Sequence, residues 1–467
     1  MLFSSLEFLY LFLPLTLIAY FLCPDNGKNH ILLVASLIFY GVASPKYLPL
    51  LLTISFANYV CGVLVADKLR KGKEKAAKLL LATAIALNAL SLFLFKYLDA
   101  LLLLFGISPL GLELPAGISF YTFQAMSYVF DVYRRQTSVQ KDPLTFVTYV
   151  SLFPQLVAGP IVRYSDVDGE LKKRSHSVRL CADGARLFFV GLSKKLIFAN
   201  GAGEMWQTLA AYSKNGGTTV GAWLGIIFFA FQIYYDFSGY SDMAKGLGRI
   251  FGFEFPDNFR YPYVSKSITE FWRRWHITLS SWFKEYVYIP LGGNRRGKAR
   301  TYVNLLLTWL LTGAWHGAGF NFIAWGLYFF LLLAAEKAFL LKILSKCNRL
   351  IAHAYALIFI LLGWLIFASD GDILGVSDGV RYLGQMFGVG CTLSSNDALY
   401  ELWRNLPYIF VMAIGATPLP RLWFCRFSYK KPLGAKLVSC SLGVSSLVIC
   451  TCYLADSGYN PFLYFRF

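Results

Sequence analysis

Apolar residues run along this chain in blocks about twenty residues long, the length a helix needs to cross a bilayer, and lysine- and arginine-rich stretches divide them. The first block, MLFSSLEFLYLFLPLTLIAYFL, has no basic stretch ahead of it and no small-x-small cleavage site, so it is expected to persist as a first span. Residues 31–66 divide into two spans at Ser44-Pro45, because proline and the residue before it resist the helix. Residues 79–105 and 117–133 form a second pair, and residues 185–211 and 220–244 a third, joined by the polar turn SKNGGTT. Three more spans fall at 353–368, 404–419 and 437–455. Residues 142–162 are too short for two crossings and are interrupted by Pro154, Gly159 and Pro160, which predicts a re-entrant or surface segment. The pattern predicts an all-α polytopic membrane protein, one domain over residues 1–467, with about ten to thirteen transmembrane helices plus re-entrant and interfacial ones. No internal repeat is visible, which weighs against a transporter built on repeated halves.

Composition agrees with the pattern. Of 467 residues 57% are hydrophobic and 15% charged, which excludes a single water-soluble fold, and 41 Phe, 29 Tyr and 11 Trp supply rings for the membrane interfaces. The excess of 44 Lys+Arg over 26 Asp+Glu gives a net charge of +18. Because the basic residues are parcelled between apolar runs and form no continuous stripe, they orient the chain and sit on anionic lipid heads; nucleic acid is not an expected partner. The clusters at 68–78, 134–141, 172–195, 260–300, 337–349 and 421–436 mark the cytoplasmic side of a multi-pass membrane protein. Nine cysteines lie mostly singly in apolar surroundings without metal-ligand spacing, so they are packing residues and no metal site is expected.

Five histidines are present. His30 and His176 sit in polar loops and His353 at the cytoplasmic end of a span, all ordinary places. His316 lies in LLLTWLLTGAWHGAGFNFIAWGLYFF, between basic loops that end at Arg300 and resume at Lys337. With both flanks cytoplasmic the chain must enter, turn and return, and an ascending arm over residues 302–314 reaches only about 20 Å of the roughly 30 Å hydrocarbon core. An imidazole at that depth either packs and bonds between helices or serves chemistry in a cavity. Out of water it is neutral and able to accept a proton. Gly313, Gly317 and Gly319 allow close backbone approach around it.

His276 falls in SITEFWRRWHITLSSWFKEYVYIPLGGNRRG. At helical spacing Trp272, Trp275, His276, Leu279, Phe283 and Tyr286 share one face, with Arg273, Arg274 and Lys284 opposite, which predicts an interfacial amphipathic helix. Arg273, Arg274, Arg295 and Arg296 match phosphate geometry, either for lipid heads or for a vestibule that binds a phosphorylated donor. Asp236, Asp242 and Asp257 are either carboxylates for chemistry or ion coupling or, the expected role, partners of nearby arginines.

These two segments, FWRRWHITLSSWFKEYVYIPLGGNR and LLTGAWHGAGFNFIAWG, closely resemble the membrane-bound O-acyltransferase family, in particular its bacterial alginate and peptidoglycan O-acetyltransferases. The opening MLFSSLEFLYLFLPL, then GISFYTFQAMSYVFDVYR, FPQLVAGPIVRY, DFSGYSDMAKGLGRIFGF and the closing NPFLYFRF extend the likeness along the chain. The resemblance implies helices around a central tunnel, His316 and His276 as the catalytic pair, and acetyl-CoA as donor substrate with no permanently bound cofactor. It also implies a polysaccharide as final acceptor, a separate extracytoplasmic acetyltransferase partner and a place in the bacterial plasma (inner) membrane. His316 is the expected general base and His276 the residue that orients it or binds the developing oxyanion, although the two roles are interchangeable at this stage. Two competing readings are D-alanyl transfer to teichoic acid by the same fold and a transporter whose histidines relay protons without acyl chemistry.

Overall fold

The computed structural model describes residues 1–371, 373–456 and 458–461. Among the described residues fifteen helices of ten residues or more make up the fold and no extended strand is present. They are α1 (Leu13–Leu22), α2 (Lys28–Ala43), α3 (Leu48–Arg70), α4 (Glu74–Lys96), α5 (Ile118–Tyr133), α6 (Val178–Ser193), α7 (Asn200–Lys214) and α8 (Thr219–Ile250). The second half holds α9 (Lys298–His316), α10 (Phe320–Ala335), α11 (Arg349–Ala368), α12 (Val376–Met386), α13 (Asn396–Gly415), α14 (Leu419–Lys430) and α15 (Pro432–Asp456).

The all-α, multi-pass architecture is that expected from the apolar pattern. Five helices, α3, α4, α8, α11 and α15, are long and apolar enough to cross a bilayer, and α13 with α14, bent by 65°, make a sixth. Helix length therefore accounts for five or six of the ten to thirteen expected crossings. Helices α2, α5 and α10 have 16 residues each, about 24 Å of rise, short of the roughly 30 Å hydrocarbon core. The break at Ser44-Pro45 stands between α2 and α3. Residues 142–162 do not lie on the surface; Val150, Leu152 and Phe153 are fully buried, and two short helices, Pro143–Ser151 and Phe153–Leu156, turn inside the protein.

The centre is α8, a 32-residue helix flanked by α6, α7, α11, α12 and α13. Glycines set its distance from α6: a Cβ on Gly191 would lie 2.4 Å from the Gly239 carbonyl oxygen, so no side chain fits at that crossing. The acidic residues of α8 and the loop after it pair chiefly with lysines rather than the expected arginines. Asp236 meets Lys195 at 2.8 Å in a fully buried pair and Asp242 meets Lys194 at 2.6 Å; Asp257 binds Lys245 and, at 3.3 Å, Arg260. Lys194 and Lys195 come from the turn that follows α6, which the α6–α8 crossing carries against α8, and Lys245 lies on α8 itself. Of the closing motif NPFLYFRF, residues 462–467 lie outside the described residues, while Asn460 donates to the Ser4 carbonyl at 2.7 Å.

Candidate active site

His316 ends α9, and Gly317 to Gly319 turn the chain into α10. The ascending arm is longer than the sequence implies. Helix α9 begins at Lys298 and has 19 residues, a rise of about 27 Å, so its basic foot is itself helical. A Cβ on Gly313 would meet the Phe322 carbonyl oxygen at 2.3 Å and one on Gly326 the Trp309 carbonyl oxygen at 2.5 Å, which is why the two arms can cross in contact. Both feet of the hairpin stand at one end: Lys337 Nζ donates to Asn294 Oδ1 at 2.9 Å, and the Glu336 carboxylate accepts the backbone N–H groups of Ile268 and Thr269 at 2.7 and 2.8 Å.

At the other end the His316 ring is 4% exposed and boxed by aromatic rings. Its centroid lies 5.0 Å from that of Trp315, 5.1 Å from Trp325 and 5.1 Å from Phe367. The last carbonyls of α9, which no helical N–H reaches, are satisfied from α4 and the residue after it. Lys96 Nζ donates to the Trp315 carbonyl and Tyr97 OH to that of Ala314, while Lys96 also reaches Ser119 Oγ at 3.3 Å. The Lys96 ammonium stands 5.4 Å over the Trp315 ring, a cation–π contact.

His276 does not sit on a continuous amphipathic helix. The segment breaks into Ile268–Trp272 and Ile277–Phe283, and His276 itself occupies the left-handed region at φ 41° and ψ 55°. The physical reason is burial on all sides: Trp275, His276, Leu279 and Trp282 are each at most 3% exposed, so they are packed inside the protein and do not float at the headgroup level. A non-glycine residue held in that conformation costs about 1–3 kcal/mol and is maintained only where its surroundings over-determine it. Those surroundings are Asn258 and Phe237. His276 Nδ1 lies 3.0 Å from Asn258 Oδ1, which also accepts from Thr278 N at 3.3 Å and Thr278 Oγ1 at 2.9 Å, and the Phe237 ring stands edge-on at 4.6 Å. An amide oxygen only accepts, so Nδ1 carries the proton and Nε2 is the basic nitrogen of the ring.

The two histidines converge on one indole. Trp315 lies 5.0 Å from the His316 ring and 6.2 Å from the His276 ring, centroid to centroid. The four arginines are not brought to that point. Arg295 and Arg296 are exposed in the loop before Lys298, so the length of α9, about 27 Å, separates them from His316. Arg274 is engaged by Glu270 at 2.8 Å and by the Arg260 carbonyl at 3.0 Å, and Arg273 points to the surface. Among the described residues no three His, Cys, Asp or Glu side chains come together. The two described cavities, one between α8, α11 and α13 and one beside residues 43–47, are lined by neither histidine.

Three residues of this site escape sequence reasoning: Asn258, Lys96 and Trp315. Lys96 leaves a trace, a cation inside the apolar run SLFLFKYL; Asn258, in FPDNF, leaves none.

Comparison with known proteins follows the same segments. The model of the membrane-bound O-acyltransferase family matches residues 37–367, which hold both histidines. The chain is 36% identical to a probable alginate O-acetylase AlgI of Pseudomonas putida over 100% of both chains. It is 35% identical to the peptidoglycan O-acetyltransferase of Helicobacter pylori, covering 79% of this chain and 77% of that one. A more distant relative, the teichoic acid D-alanyltransferase of Bacillus subtilis, is 27% identical over 48% of this chain and 59% of its own.

Proposed function

Because the chain belongs to the membrane-bound O-acyltransferase family, we propose that it carries acetyl groups from cytoplasmic acetyl-CoA across the bacterial plasma membrane for O-acetylation of an alginate-like exopolysaccharide or of peptidoglycan. Family membership makes the chain an O-acyltransferase and removes the reading as a transporter without acyl chemistry. Acetyl-CoA is a substrate in this scheme, and a separate extracytoplasmic acetyltransferase completes delivery to the polymer.

His316 accepts the proton of the attacking hydroxyl as its oxygen bonds to the thioester carbonyl carbon. The tetrahedral intermediate then collapses with cleavage of the C–S bond, and the imidazolium returns its proton to the departing thiolate. Alcohol and acetyl thioester become acetyl ester and thiol, with every atom accounted for. His276, held in one tautomer by Asn258, has its N–H engaged there and turns a basic Nε2 beside Trp315, so it orients the reacting groups by accepting a hydrogen bond. Arg273, Arg295 and Arg296 receive the donor's phosphates at the basic end, and the extended donor bridges the length of α9.

The observation that carries this reading is the pair of buried imidazoles against one indole, with the tautomer of one fixed. The 35–36% identity to the two O-acetylating relatives over most of the chain favours acetyl over D-alanyl transfer. Labelled acetyl-CoA supplied to inside-out membrane vesicles tests it: thiol release with label passing to a hydroxyl acceptor is the expected result. Transfer from a D-alanyl-loaded carrier protein, with acetyl-CoA inert, would replace it.

A further inference from the structure

A cavity of about 600 Å³ opens between α8, α11 and α13, away from both histidines. Its polarity is graded along α11. Arg349, His353, Leu357 and Leu361 follow one another at four-residue intervals on one helix face, two basic positions and then two apolar ones, over about 18 Å. Lys266 joins Arg349 and His353 at the basic end, while Ile227, Phe231 and Ala413 continue the apolar lining. The His353 ring is fixed at this rim by its Nδ1–H, which donates to the Ser265 carbonyl at 2.9 Å.

The cations at the rim are not committed within the protein. Lys266 and Arg349 are exposed, and among the described residues neither pairs with a carboxylate; the nearby Glu270 is taken by Arg274 at 2.8 Å. Apolar side chains on the same helices face outward beside the groove, with Leu350 76%, Phe410 64% and Val411 51% exposed, as surfaces in contact with lipid tails are. A cationic mouth at the basic end of the molecule, continued by an apolar trough, has the shape and charge of an anionic amphiphile. A soluble phosphorylated metabolite has no use for the trough, and a neutral lipid has none for the free cations.

We infer that this groove is a binding site for an anionic glycerophospholipid, whose phosphate lies between Lys266 and Arg349 and one of whose acyl chains follows Leu357 and Leu361 along α11. The occupant is a lipid of the surrounding leaflet and not the acyl donor, so the inference stands apart from the proposed reaction.

Native mass spectrometry of the detergent-purified chain, mixed with phosphatidylglycerol or phosphatidylcholine of the same acyl length, tests the assignment. The wild type is expected to retain phosphatidylglycerol in preference. At about 1 kcal/mol for each cation near an anionic surface, Lys266→Gln with Arg349→Gln weakens that binding about 30-fold and weakens phosphatidylcholine less, because its choline already offsets the phosphate charge, so the preference between the two lipids shrinks. Ala413→Trp, at an exposed position in the trough, expels both lipids. Equal retention of the two lipids by the wild type, or an undiminished preference in the double variant, overturns the inference. Displacement of phosphatidylglycerol by coenzyme A that depends on Lys266 and Arg349 also overturns it, because the groove would then be a donor site.

Discussion

Asn258 Oδ1 stands 3.0 Å from His276 Nδ1 and holds the imidazole in a left-handed backbone turn that no glycine relieves. One amide oxygen thus fixes both the tautomer of a buried ring and the break between two short helices. Its own Nδ2 donates to Ser241 Oγ on α8 at 3.2 Å, so the turn is tied to the central helix.

Removing that oxygen separates orientation from packing. Asn258→Ala leaves the Nδ1–H of His276 and the Thr278 hydroxyl without their acceptor, a loss of about 1–3 kcal/mol in stability. Acetyl transfer is expected to fall at least tenfold in kcat with little change in the KM for acetyl-CoA, because the proposed contacts to the donor's phosphates are made by other residues. Steady-state kinetics on the purified variant, beside its thermal unfolding midpoint, check both halves.

The arginines at the basic end should behave in the opposite way. Arg295→Gln with Arg296→Gln is predicted to raise the KM for acetyl-CoA several-fold at unchanged kcat, since the pair lies a helix length from His316. Arg274→Gln breaks the pairing with Glu270 and is expected to alter stability rather than donor affinity. Titration of donor against rate in both variants distinguishes the two roles, and an unchanged donor dependence in the double variant removes Arg295 and Arg296 from the site.

Lys195 and Asp236 form a fully buried pair at 2.8 Å, with Lys195 also donating to Asn200 Oδ1 at 3.0 Å. Asp236→Asn or Lys195→Met alone leaves a buried charge uncompensated and is predicted to cost about 3–5 kcal/mol. Combining Lys195→Met with Asp236→Asn removes both charges and should recover a large part of that loss. Chemical unfolding in detergent of the two single variants and the double one measures the coupling.

The parts of this fold legible in the sequence are those set by local polarity. The break at Ser44-Pro45 follows from proline chemistry, and the His316 hairpin from the glycines in GAWHGAG between two basic loops. The foot of α9 is not legible, because Lys298 and Arg300 look like loop residues while their long side chains let a helix continue out of the apolar layer. Nor is the break at His276, where regular spacing of Trp272, Leu279 and Phe283 imitates one amphipathic helix. There the decision is made by Phe237 and Asn258, which arrive from α8 and the loop behind it. Lys96 stands out as a cation in an apolar run, but its role is hidden for the same reason: its partner, the Trp315 carbonyl, lies 219 residues away.

The central claim is that the His316 imidazole takes the hydroxyl proton. His316→Ala, purified and shown to unfold at a temperature near that of the wild type, is to be compared with it for single-turnover acetyl transfer from labelled acetyl-CoA. A loss of about 10²–10⁴ in rate is predicted, the usual contribution of a positioned general base. Transfer at the wild-type rate by the folded variant would contradict the account.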